Sequence, residues 1–582
     1  MDKQSRIAFG LIFLLLIAYY GWLSRHSPDP PENPVPTEQT LPETYPETRE
    51  SSIPPIEAPR EFASDFSSFP QEAARRIIVE TPKSRYTLSG AGAVLQQVEL
   101  LEFDAYNENN DAEGNVQLLA PDATPVLDLE LEFSGGSLNT GSIPFACELP
   151  AGQDSLYLAP GEEATIRFLF EDGSGGMIFK TYTFHADRYD FGLMVDAELA
   201  GNFTEVRSYG LSWDAGIQST EKNRKDDLRS FHNFYLLGDK LEKKGLRSFK
   251  GDRRIPSPEG SLRWVATKNK YFLAALIPDA SPTGWGTLTG SSEEEKLGFR
   301  ADIHLRGGQN RISQGFQVYA GPILMEPLKA YGNGLEDMVD LGKWIRPISL
   351  AIKWLMGWLY HYIPNYGLVI ILLSVFTKLL FYRLSHKSFK SMKDMQAIQP
   401  ELKKLQEKYK NDKQKLQKAT MELYKEHGVN PLGGCLPLLF QMPVFFALFR
   451  VLRGAVELRG AGFVAWIDDL SNMDVLYRLP FDIPLLGSFI DNSISLLPIL
   501  MGLSMVLQMK LGGSGMGGGV GQPTQAQAMN KIMPFFMTFI FYRMPSGLVL
   551  YWLVNNILTV AQQYYIHRGS DDSGTVITAD SR

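Results

Sequence analysis

The sequence predicts a multi-domain protein in which a polytopic α-helical membrane domain follows a large all-β domain. At 582 residues the chain is too long for one compact domain, and its two halves differ in character. From about residue 70 to 322, apolar and polar side chains alternate with the period of two that is typical of strands, whereas apolar helical runs dominate the later part. The clearest alternation places Leu127, Leu129, Leu131 and Phe133 between Asp128, Glu130 and Glu132.

The composition excludes several classes of protein. The formal net charge of −8 argues against a general nucleic-acid binder, and no direct sequence-specific contact with nucleic acid is expected. The two cysteines, Cys147 and Cys435, fall in different halves, so a disulfide between them is not expected and no Cys/His metal spacing occurs. Without a nucleophile, metal or nucleotide motif, the sequence predicts neither an enzyme nor a cofactor.

The first 65 residues predict a membrane anchor followed by a tether. An apolar run over residues 7–23 follows two basic residues, and no A-x-A-like cleavage site comes after it. Residues 1–24 are therefore expected to be an N-terminal transmembrane anchor that starts in the cytoplasm. Residues 25–65 are rich in proline and glutamate, a composition that cannot bury a core and indicates an extended linker.

Residues 66–324 are expected to form the all-β domain, a large antiparallel sandwich. Two further alternating runs are separated by glycines at 173–176, which predicts a β-hairpin. His185, His232 and His304 are scattered without a metal-ligand spacing, so structural roles are expected for them.

Residues 325–364 change to helical spacing and carry several tryptophans beside basic residues. This pattern predicts an amphipathic helix in the outer membrane interface, directly before a spanning helix. The alternative is an ordinary surface helix packed on the sandwich.

Residues 365–386 are the predicted second span, and one lysine, Lys378, interrupts its apolar run. An unpaired charge there would cost about 2.5–3.5 kcal/mol on insertion scales, so Lys378 is expected to face water, a partner or a polar cavity. The alternative is snorkelling, since His386 lies only about 12 Å further along the helix.

The segment from Lys387 to His427, within residues 387–430, has far more lysines than acids. Basic residues close to membrane helices place it in the cytoplasm, and its apolar stripes predict an antiparallel helical hairpin. The charges alone leave open whether this hairpin docks a partner or simply connects two spans.

The remaining segments alternate between spans and connections, giving six spans with both chain ends inside. Arg450, Arg453 and Arg459 fall on the outer side, against the usual charge bias. The predicted segments are a span at 431–455, an outer loop at 456–487, a span at 488–509, a Gly-rich cytoplasmic loop at 510–530, spans at 531–544 and 546–567, and a cytoplasmic tail at 568–582.

Four motifs in the helical half occur in unbroken order. They are NPLGGCLP with QMPVF and AL at 430–448, VELR at 456–459, WI and DLS within 466–471, and PSGLVLYW at 545–552. Together they resemble the signature of the YidC/Oxa1/Alb3 family of membrane protein insertases over residues 330–568. The anchor and sandwich further resemble the Gram-negative YidC type, whose periplasmic domain has a β-supersandwich fold.

The resemblance implies a five-helix core around a hydrophilic groove that is open to the cytoplasm and lipid and closed outside. The family's groove arginine corresponds to Lys378, which keeps the charge but loses the planar fork that grips carboxylates. A family proline five residues later is Arg383 here, so either a straighter helix or a second cation near its cytoplasmic end is expected.

Further groove and substrate-contact residues follow from the same resemblance. The polar groove residues expected near Lys378 are Ser374, Gln441, Asn555 and Asn556, and the expected substrate-contact aromatics are Phe445, Tyr551 and Trp552. Interhelical hydrogen bonding remains an equal alternative for the amides, and core or interface packing remains one for the aromatics.

The implied function is insertion of nascent membrane proteins into the bacterial inner membrane, with residues 25–364 in the periplasm. Expected partners are nascent chains and the lipid bilayer, with the Sec translocon as a further one, and the hairpin would meet the ribosome or the signal recognition particle receptor. Two alternatives remain: a solute transporter whose cationic midplane site is Lys378, and a membrane-tethered carbohydrate-binding protein led by the sandwich.

Overall fold

The computed structural model describes residues 75–571, apart from gaps at 107–111, 134–135, 174, 201–205, 343, 411, 430–435, 482–491 and 512–522. The chain divides into two compact units, Met1–Ala58 and Pro59–Arg582, and every described residue belongs to the second. The predicted anchor (1–24) and linker (25–65) lie outside the described residues, as do Cys435, residues 512–522 of the Gly-rich loop and residues 572–582 of the tail.

The first part of the described chain is a large β-sandwich, as the alternating pattern predicts. Its strands in chain order are β1 Arg76–Glu80, β2 Ser84–Ser89, β3 Val94–Tyr106, β4 Ala112–Leu119, β5 Asp128–Phe133, β6 Gly136–Asn139, β7 Ala146–Cys147, β8 Ser155–Tyr157, β9 Glu163–Glu171, β10 Met177–His185, β11 Asp190–Glu198, β12 Val206–Trp213, β13 His232–Leu237, β14 Lys240–Gly245, β15 Arg253–Pro256, β16 Gly260–Lys268, β17 Phe272–Pro278, β18 Thr283–Ser291, β19 Lys296–Gln309 and β20 Arg311–Pro322.

The strands form two sheets. A five-stranded sheet runs β4-β3-β2-β1-β8, and a fifteen-stranded sheet runs β6-β5-β12-β19-β18-β16-β17-β20-β11-β10-β9-β7, with β13, β14 and β15 paired beside it. Among the described pairings β1 and β8 are parallel, and the others are antiparallel. The prediction of an antiparallel sandwich is confirmed in this part of the chain.

The predicted hairpin is confirmed by β9 and β10. They pair antiparallel, with Met177 opposite Glu171, so the turn falls on the glycines singled out in the sequence. The inward side chains of β9, Ile166, Phe168 and Phe170, are buried. Period-two alternation therefore reports the buried face of the sheet directly.

The interior of the sandwich is aromatic and closely packed, with Trp213 and Trp264 fully buried. One cation, Lys180, is buried among these side chains. Its ammonium donates to the carbonyl of Gly92 at 2.8 Å and to that of Leu127 at 3.0 Å. Burial lowers the pKa of Lys180 to about 8. A buried charge here is retained because hydrogen-bond acceptors surround it.

After the sandwich the described chain is mainly helical. The helices are α1 Arg224–Leu228, which lies between β12 and β13, then α2 Met325–Ala330, α3 Arg346–Tyr362, α4 Tyr366–Leu380, α5 Tyr382–Ala397, α6 Gln399–Lys408, α7 Lys413–Glu426, α8 Leu436–Gly454, α9 Leu496–Leu511, α10 Pro523–Phe541 and α11 Ser546–Asp571. Two short strands, β21 Tyr477–Arg478 and β22 Ser493–Ile494, pair in the loop between α8 and α9.

Helix α4 is separated from α5 by a sharp bend. Among the described helices none is by itself long and apolar enough to cross a bilayer, whereas the pair Tyr366–Leu380 and Tyr382–Met395 passes that test together with a bend of 65°. A helix that runs straight through this segment is therefore not found, and the alternative expectation, a second cation at Arg383, stays a prediction. The bend falls at Phe381, where the apolar sequence of α4 gives way to the Lys-rich sequence of α5.

The predicted cytoplasmic hairpin contains α5, α6 and α7. Proline at position 400, in the first turn of α6, separates α6 from α5, because proline favours a helix start and disfavours a helix interior. Asp412 caps α7 by accepting the backbone N–H of Lys415 at 3.0 Å. Asp412 thus lies in the connection between α6 and α7 and begins the second of these helices.

Helix α3 is amphipathic, as its spacing predicts. Ser349, Ile352 and Met356 are buried, whereas Trp354 and Trp358 remain 70% and 50% exposed. Exposed tryptophans on one face are typical of a helix that meets a membrane interface.

A charged junction joins the sandwich to the C-terminal end of α8 and the residues that follow it. The junction consists of Glu221, Asp226, Asp227, Lys270, Arg453 and Arg459. Arg459 Nε donates to Glu221 Oε1 at 2.8 Å, and both side chains are nearly inaccessible to solvent. Asp226 lies between Arg453 at 2.6 Å and Lys270 at 3.1 Å. Two of the arginines that run against the charge bias, Arg453 and Arg459, therefore pair with acids of the sandwich, whereas Arg450 pairs with Asp340.

The junction also contains carboxyls of unusual acidity. Burial, reinforced by the charge of Glu221, raises the pKa of Asp227 to about 7. Burial alone would raise the pKa of Asp226, but Lys270 and Arg453 outweigh burial and hold that pKa below its usual value. Opposite shifts in adjacent aspartates follow from which of them faces the cations.

Candidate functional site

The candidate site lies where α4 packs against α11. One face of α4 is buried and includes Val369, Ile370 and Leu373, whereas Leu368, Leu372 and Phe376 remain exposed on the other face. Asn365 begins the helix by accepting the N–H of Leu368 at 3.0 Å. The apolar sequence thus forms a two-faced helix whose inner face meets the rest of the domain.

Two polar contacts link the inner face of α4 to α11. The Lys378 ammonium donates to Thr559 Oγ1 at 2.6 Å, and the Thr377 hydroxyl lies 3.3 Å from the Tyr551 hydroxyl. Tyr551, Asn555 and Thr559 follow one another at four-residue steps, which places them on one face of α11. The interior therefore contains a short polar stripe with Lys378 at one end.

Lys378 is half-buried and lines a cavity of about 710 Å³. Among the described side chains, its hydrogen-bond partner is the neutral hydroxyl of Thr559, and no carboxylate forms an ion pair with it. A half-buried ammonium without an anion attracts negative groups strongly, because the surrounding protein screens charge less than water does.

The other predicted polar residues divide between two locations. Gln441 and Asn555 approach the Tyr551 hydroxyl, and Asn555 also donates to the Tyr551 carbonyl at 3.1 Å. Ser374 is buried and donates to the carbonyl of Ile370, one turn back, at 2.8 Å. Asn556 instead donates to Ser504 of α9 at 2.9 Å, so it does not join the Lys378 stripe.

The predicted aromatic residues form a cluster instead of a row of separate contacts. The rings of Phe445 and Trp552 meet edge to face at 5.0 Å, and Phe541 of α10 lies 5.1 Å from Trp552. Tyr551 is only 1% exposed, whereas Phe445 and Trp552 are partly buried. The latter two have surface left for contact with another apolar segment.

The end of the site at the first turn of α11 is covered by the loop after α8. Ser546 and Gly547, which begin α11, donate their backbone N–H groups to the carbonyls of Asn472 at 2.6 Å and Leu470 at 3.0 Å. The Ser546 hydroxyl donates to the carbonyl of Asp469 at 2.7 Å. Residues of two separate sequence motifs therefore meet at this end.

Asp474 supports the same closure from the start of α9. Its carboxylate accepts the backbone N–H groups of Leu496 and Leu497 at 2.9 and 2.8 Å, and the Trp466 indole donates to it at 3.2 Å. A carboxylate at a helix start is favourable, since free N–H groups point there.

Sequence reasoning missed Thr377, Thr559 and Gln562. The four-residue spacing from Tyr551 to Thr559 is a signal that could have identified Thr559. Gln562 lines the Lys378 cavity, and its amide nitrogen and oxygen are buried without a hydrogen-bond partner among the described residues. No described group of three or more His, Cys, Asp or Glu side chains could hold a metal ion.

Comparison with known proteins connects this arrangement to a family. Residues 76–355 match the YidC periplasmic domain, and residues 358–573 match the 60Kd inner membrane protein family. The membrane protein insertase YidC of Chlorobium phaeovibrioides is 35% identical, over 97% of this chain and 95% of its own length. The chain belongs to the YidC family of membrane protein insertases.

A second curated relative gives the same result. The YidC insertase of Chloroherpeton thalassium is 32% identical over 100% of this chain and 98% of its own length. The crystal structure of an active YidC insertase with the first transmembrane domain resolved is 20% identical and covers 84% of this chain and 92% of that chain, with a TM-score of 0.35.

Family membership decides several of the expectations. The predicted function as a membrane protein insertase of the inner membrane, and not as an enzyme, is confirmed by the YidC relatives. The two-part fold class is confirmed as a YidC periplasmic domain followed by an insertase domain. Membership favours the insertase over the transporter and carbohydrate-binding alternatives.

Proposed function

We propose that this insertase receives the polar part of a nascent membrane protein at the Lys378 stripe and releases the apolar part into lipid. The observation that carries the proposal is the pairing of Lys378 with the neutral hydroxyl of Thr559 inside a helical domain. A charge in such a place is destabilising unless an anion or water lies beside it. An acidic segment of a passing chain supplies that anion transiently.

The route of the substrate follows from polarity. Its hydrophilic segment enters the cavity from the cytoplasmic side, where the α4–α5 bend lies, and stops at the closed outer end. Its apolar segment leaves past Phe445 and Trp552 and is driven into lipid by the hydrophobic effect. No covalent step is needed, and Lys378 acts as an electrostatic host.

The topology belongs to the same proposal. In this proposal the chain crosses the membrane six times, beginning with the anchor at 1–24, and both termini lie in the cytoplasm. The sandwich, which we propose to be a supersandwich, then lies in the periplasm. The Lys-rich hairpin in the cytoplasm would contact the ribosome or the signal recognition particle receptor, and the insertase would act alone or beside the Sec translocon. The charge bias of the loops and the exposed tryptophans of α3 support this orientation.

The test is insertion of substrates that differ only in the charge of their translocated segment. Lys378→Ala should impair insertion of the acidic substrate severalfold and spare the uncharged one, whereas Lys378→Arg should preserve both. Equal insertion of the acidic substrate by all three proteins would remove the charge from the mechanism.

Site-specific crosslinking provides a second test. Photoreactive groups at Lys378 and at Trp552 should both crosslink to a ribosome-bound nascent membrane protein. A group at Asn556, which faces Ser504, is the matched control and should crosslink weakly. Absence of crosslinks at Lys378 and Trp552 would contradict the proposed route.

A further inference from the structure

The Lys378 cavity extends beyond the polar stripe along α5. Four of its lining side chains are basic, and one, Asp394, is acidic. The basic residues are Lys378, His386, Lys390 and Lys393. Among the described residues no carboxylate forms an ion pair with His386, Lys390 or Lys393. The cavity therefore carries an excess of positive charge that the described protein does not neutralise.

A buried amide in the wall of the same cavity also lacks a partner. The nitrogen and the oxygen of the Gln562 side chain are both inaccessible to solvent and make no hydrogen bond within the described residues. A buried amide left unsatisfied is destabilising, because it has lost the hydrogen bonds that water would supply. A bound group that both accepts and donates hydrogen bonds would relieve this cost.

The rim of the cavity is apolar and exposed. Leu379 and Leu380, at the end of α4, are 67% and 65% exposed, and Tyr565 of α11 is 75% exposed. Exposed leucines beside a basic cavity fit a ligand with a charged head and hydrocarbon chains. The 65° bend turns α5 away from the axis of α4, so the lysines of α5 lie where a spanning α4 would meet the headgroups.

We propose that the cavity binds the phosphate-bearing headgroup of an anionic phospholipid. Its phosphate lies among Lys378, Lys390 and Lys393, the Gln562 amide hydrogen-bonds to the headgroup, and the acyl chains pass over Leu379 and Leu380. Lysines next to a spanning helix favour anionic lipid, and ammonium groups bind phosphate as point charges. The lipid phosphate pairs with Lys378 between substrates, and an acidic nascent segment then displaces the lipid.

This inference rests on the proposed function in placing α4 across the bilayer and in the displacement of the lipid by a nascent segment. Lipid binding is measured without any substrate, so its failure and the failure of the insertion mechanism are distinguishable. If phosphatidylglycerol binds normally and Lys378→Ala still inserts acidic substrates, the mechanism fails and the lipid site stands.

The experiment measures binding of labelled phosphatidylglycerol to the full chain in phosphatidylcholine nanodiscs. The double variant Lys390→Gln, Lys393→Gln should weaken binding about tenfold or more. The matched control is Lys403→Gln, Lys404→Gln on α6, where the exposed lysines lie outside the cavity lining, and it should change binding less than twofold. An equal effect of the two double variants would overturn the site in favour of general surface charge.

Two further arms identify the ligand. Gln562→Leu leaves the charge unchanged and should still weaken phosphatidylglycerol binding severalfold, because the headgroup loses its amide partner; unchanged binding would contradict the proposed contact. Inorganic phosphate at millimolar concentration should not displace the lipid, because it lacks acyl chains. Full displacement would show a free-phosphate site and overturn the lipid assignment.

Discussion

The sandwich and the helical domain treat buried charge in opposite ways. In the sandwich and its junction, the buried cations meet acceptors: Lys180 has two carbonyls, and Arg459 has Glu221. In the helical domain, Lys378 meets one neutral hydroxyl, and Gln562 meets no described partner.

This difference in hydrogen-bond partners distinguishes buried charges that stabilise the fold from a charge that can bind a ligand. A fully partnered buried charge holds a fold in one arrangement, whereas a partly partnered one is available to a ligand. Substitutions should therefore reduce the stability of the sandwich and its junction strongly, and should change the helical site mainly in what it binds.

The largest loss of stability is expected from Arg459→Ala. It removes the ion-pair partner of the buried Glu221, and breaking a buried pair in this way typically costs about 3–5 kcal/mol. Thermal unfolding of the detergent-solubilised full chain measures the loss. Arg450→Ala, on α8 nine residues earlier, removes an exposed pair with Asp340 and should cost less than about 1 kcal/mol. Similar losses in both variants would contradict the expectation that the buried pair stabilises the fold more than the exposed pair does.

The junction should also make stability depend on pH through Asp227. Its carboxyl titrates at about 7 in the folded chain and near 4 when unfolded, so the folded protein holds an extra proton between these values. Raising the pH from 4 to 7 should therefore lower the free energy of unfolding by about 1.4 kcal/mol per pH unit from this group, and further increase should add little.

Comparing variants isolates the contribution of Asp227. Asp227→Asn should flatten the decline in melting temperature between pH 5 and 7. Asp239→Asn, at a fully exposed position, should leave the decline unchanged. Parallel pH profiles for the wild type and both variants would assign the dependence to other groups.

A smaller loss is expected from Gly367→Ala at the start of α4. A Cβ atom there would overlap the ring of Phe463, and overpacking of this kind typically costs about 1–3 kcal/mol. Gly357→Ala on α3 meets no atom within 4 Å and should be neutral or slightly stabilising. Melting temperatures of the two variants should therefore move in different directions or by clearly different amounts.

The smallest effect on stability is expected from Thr559→Val, which removes the hydroxyl that Lys378 contacts. The ammonium faces a cavity and can take another partner, so the loss should stay below about 1 kcal/mol. Insertion of acidic substrates should nevertheless change, and Thr559→Ser should restore it. A loss as large as that of Arg459→Ala would mean that the site is as structural as the junction.

Much of the fold can be predicted from the sequence, because periodicity reports burial. Alternation at 127–133 and around the 173–176 glycines locates strands and a hairpin that the structure contains. The bend at Phe381 could not be predicted in the same way, because both sides of it have helical sequence and the angle depends on packing against α11.

The site is only partly predictable for a similar reason. Lys378 is evident because a charge stands out in an apolar run, whereas Thr559 is unremarkable in sequence and lies 181 positions away. Asn555 and Asn556 are adjacent residues of the same type, so the sequence does not distinguish them. One step along a helix turns a side chain by about 100°, and the Asn556 side chain therefore contacts Ser504. Residue type thus predicts that a side chain lies in the interior, but only the packing of the helices determines which residue it contacts.

The hydrogen-bonded end of the site, where the loop after α8 meets α11, has a consequence for the passage of ions across the membrane. Leu470, Asn472 and Asp469 bond to the first turn of α11, which leaves little backbone free to conduct water there. In the proposed orientation, an ion that entered the cavity from the cytoplasm would meet these hydrogen bonds before it reached the other face. An insertion site of this kind would therefore not open a continuous path for ions across the membrane.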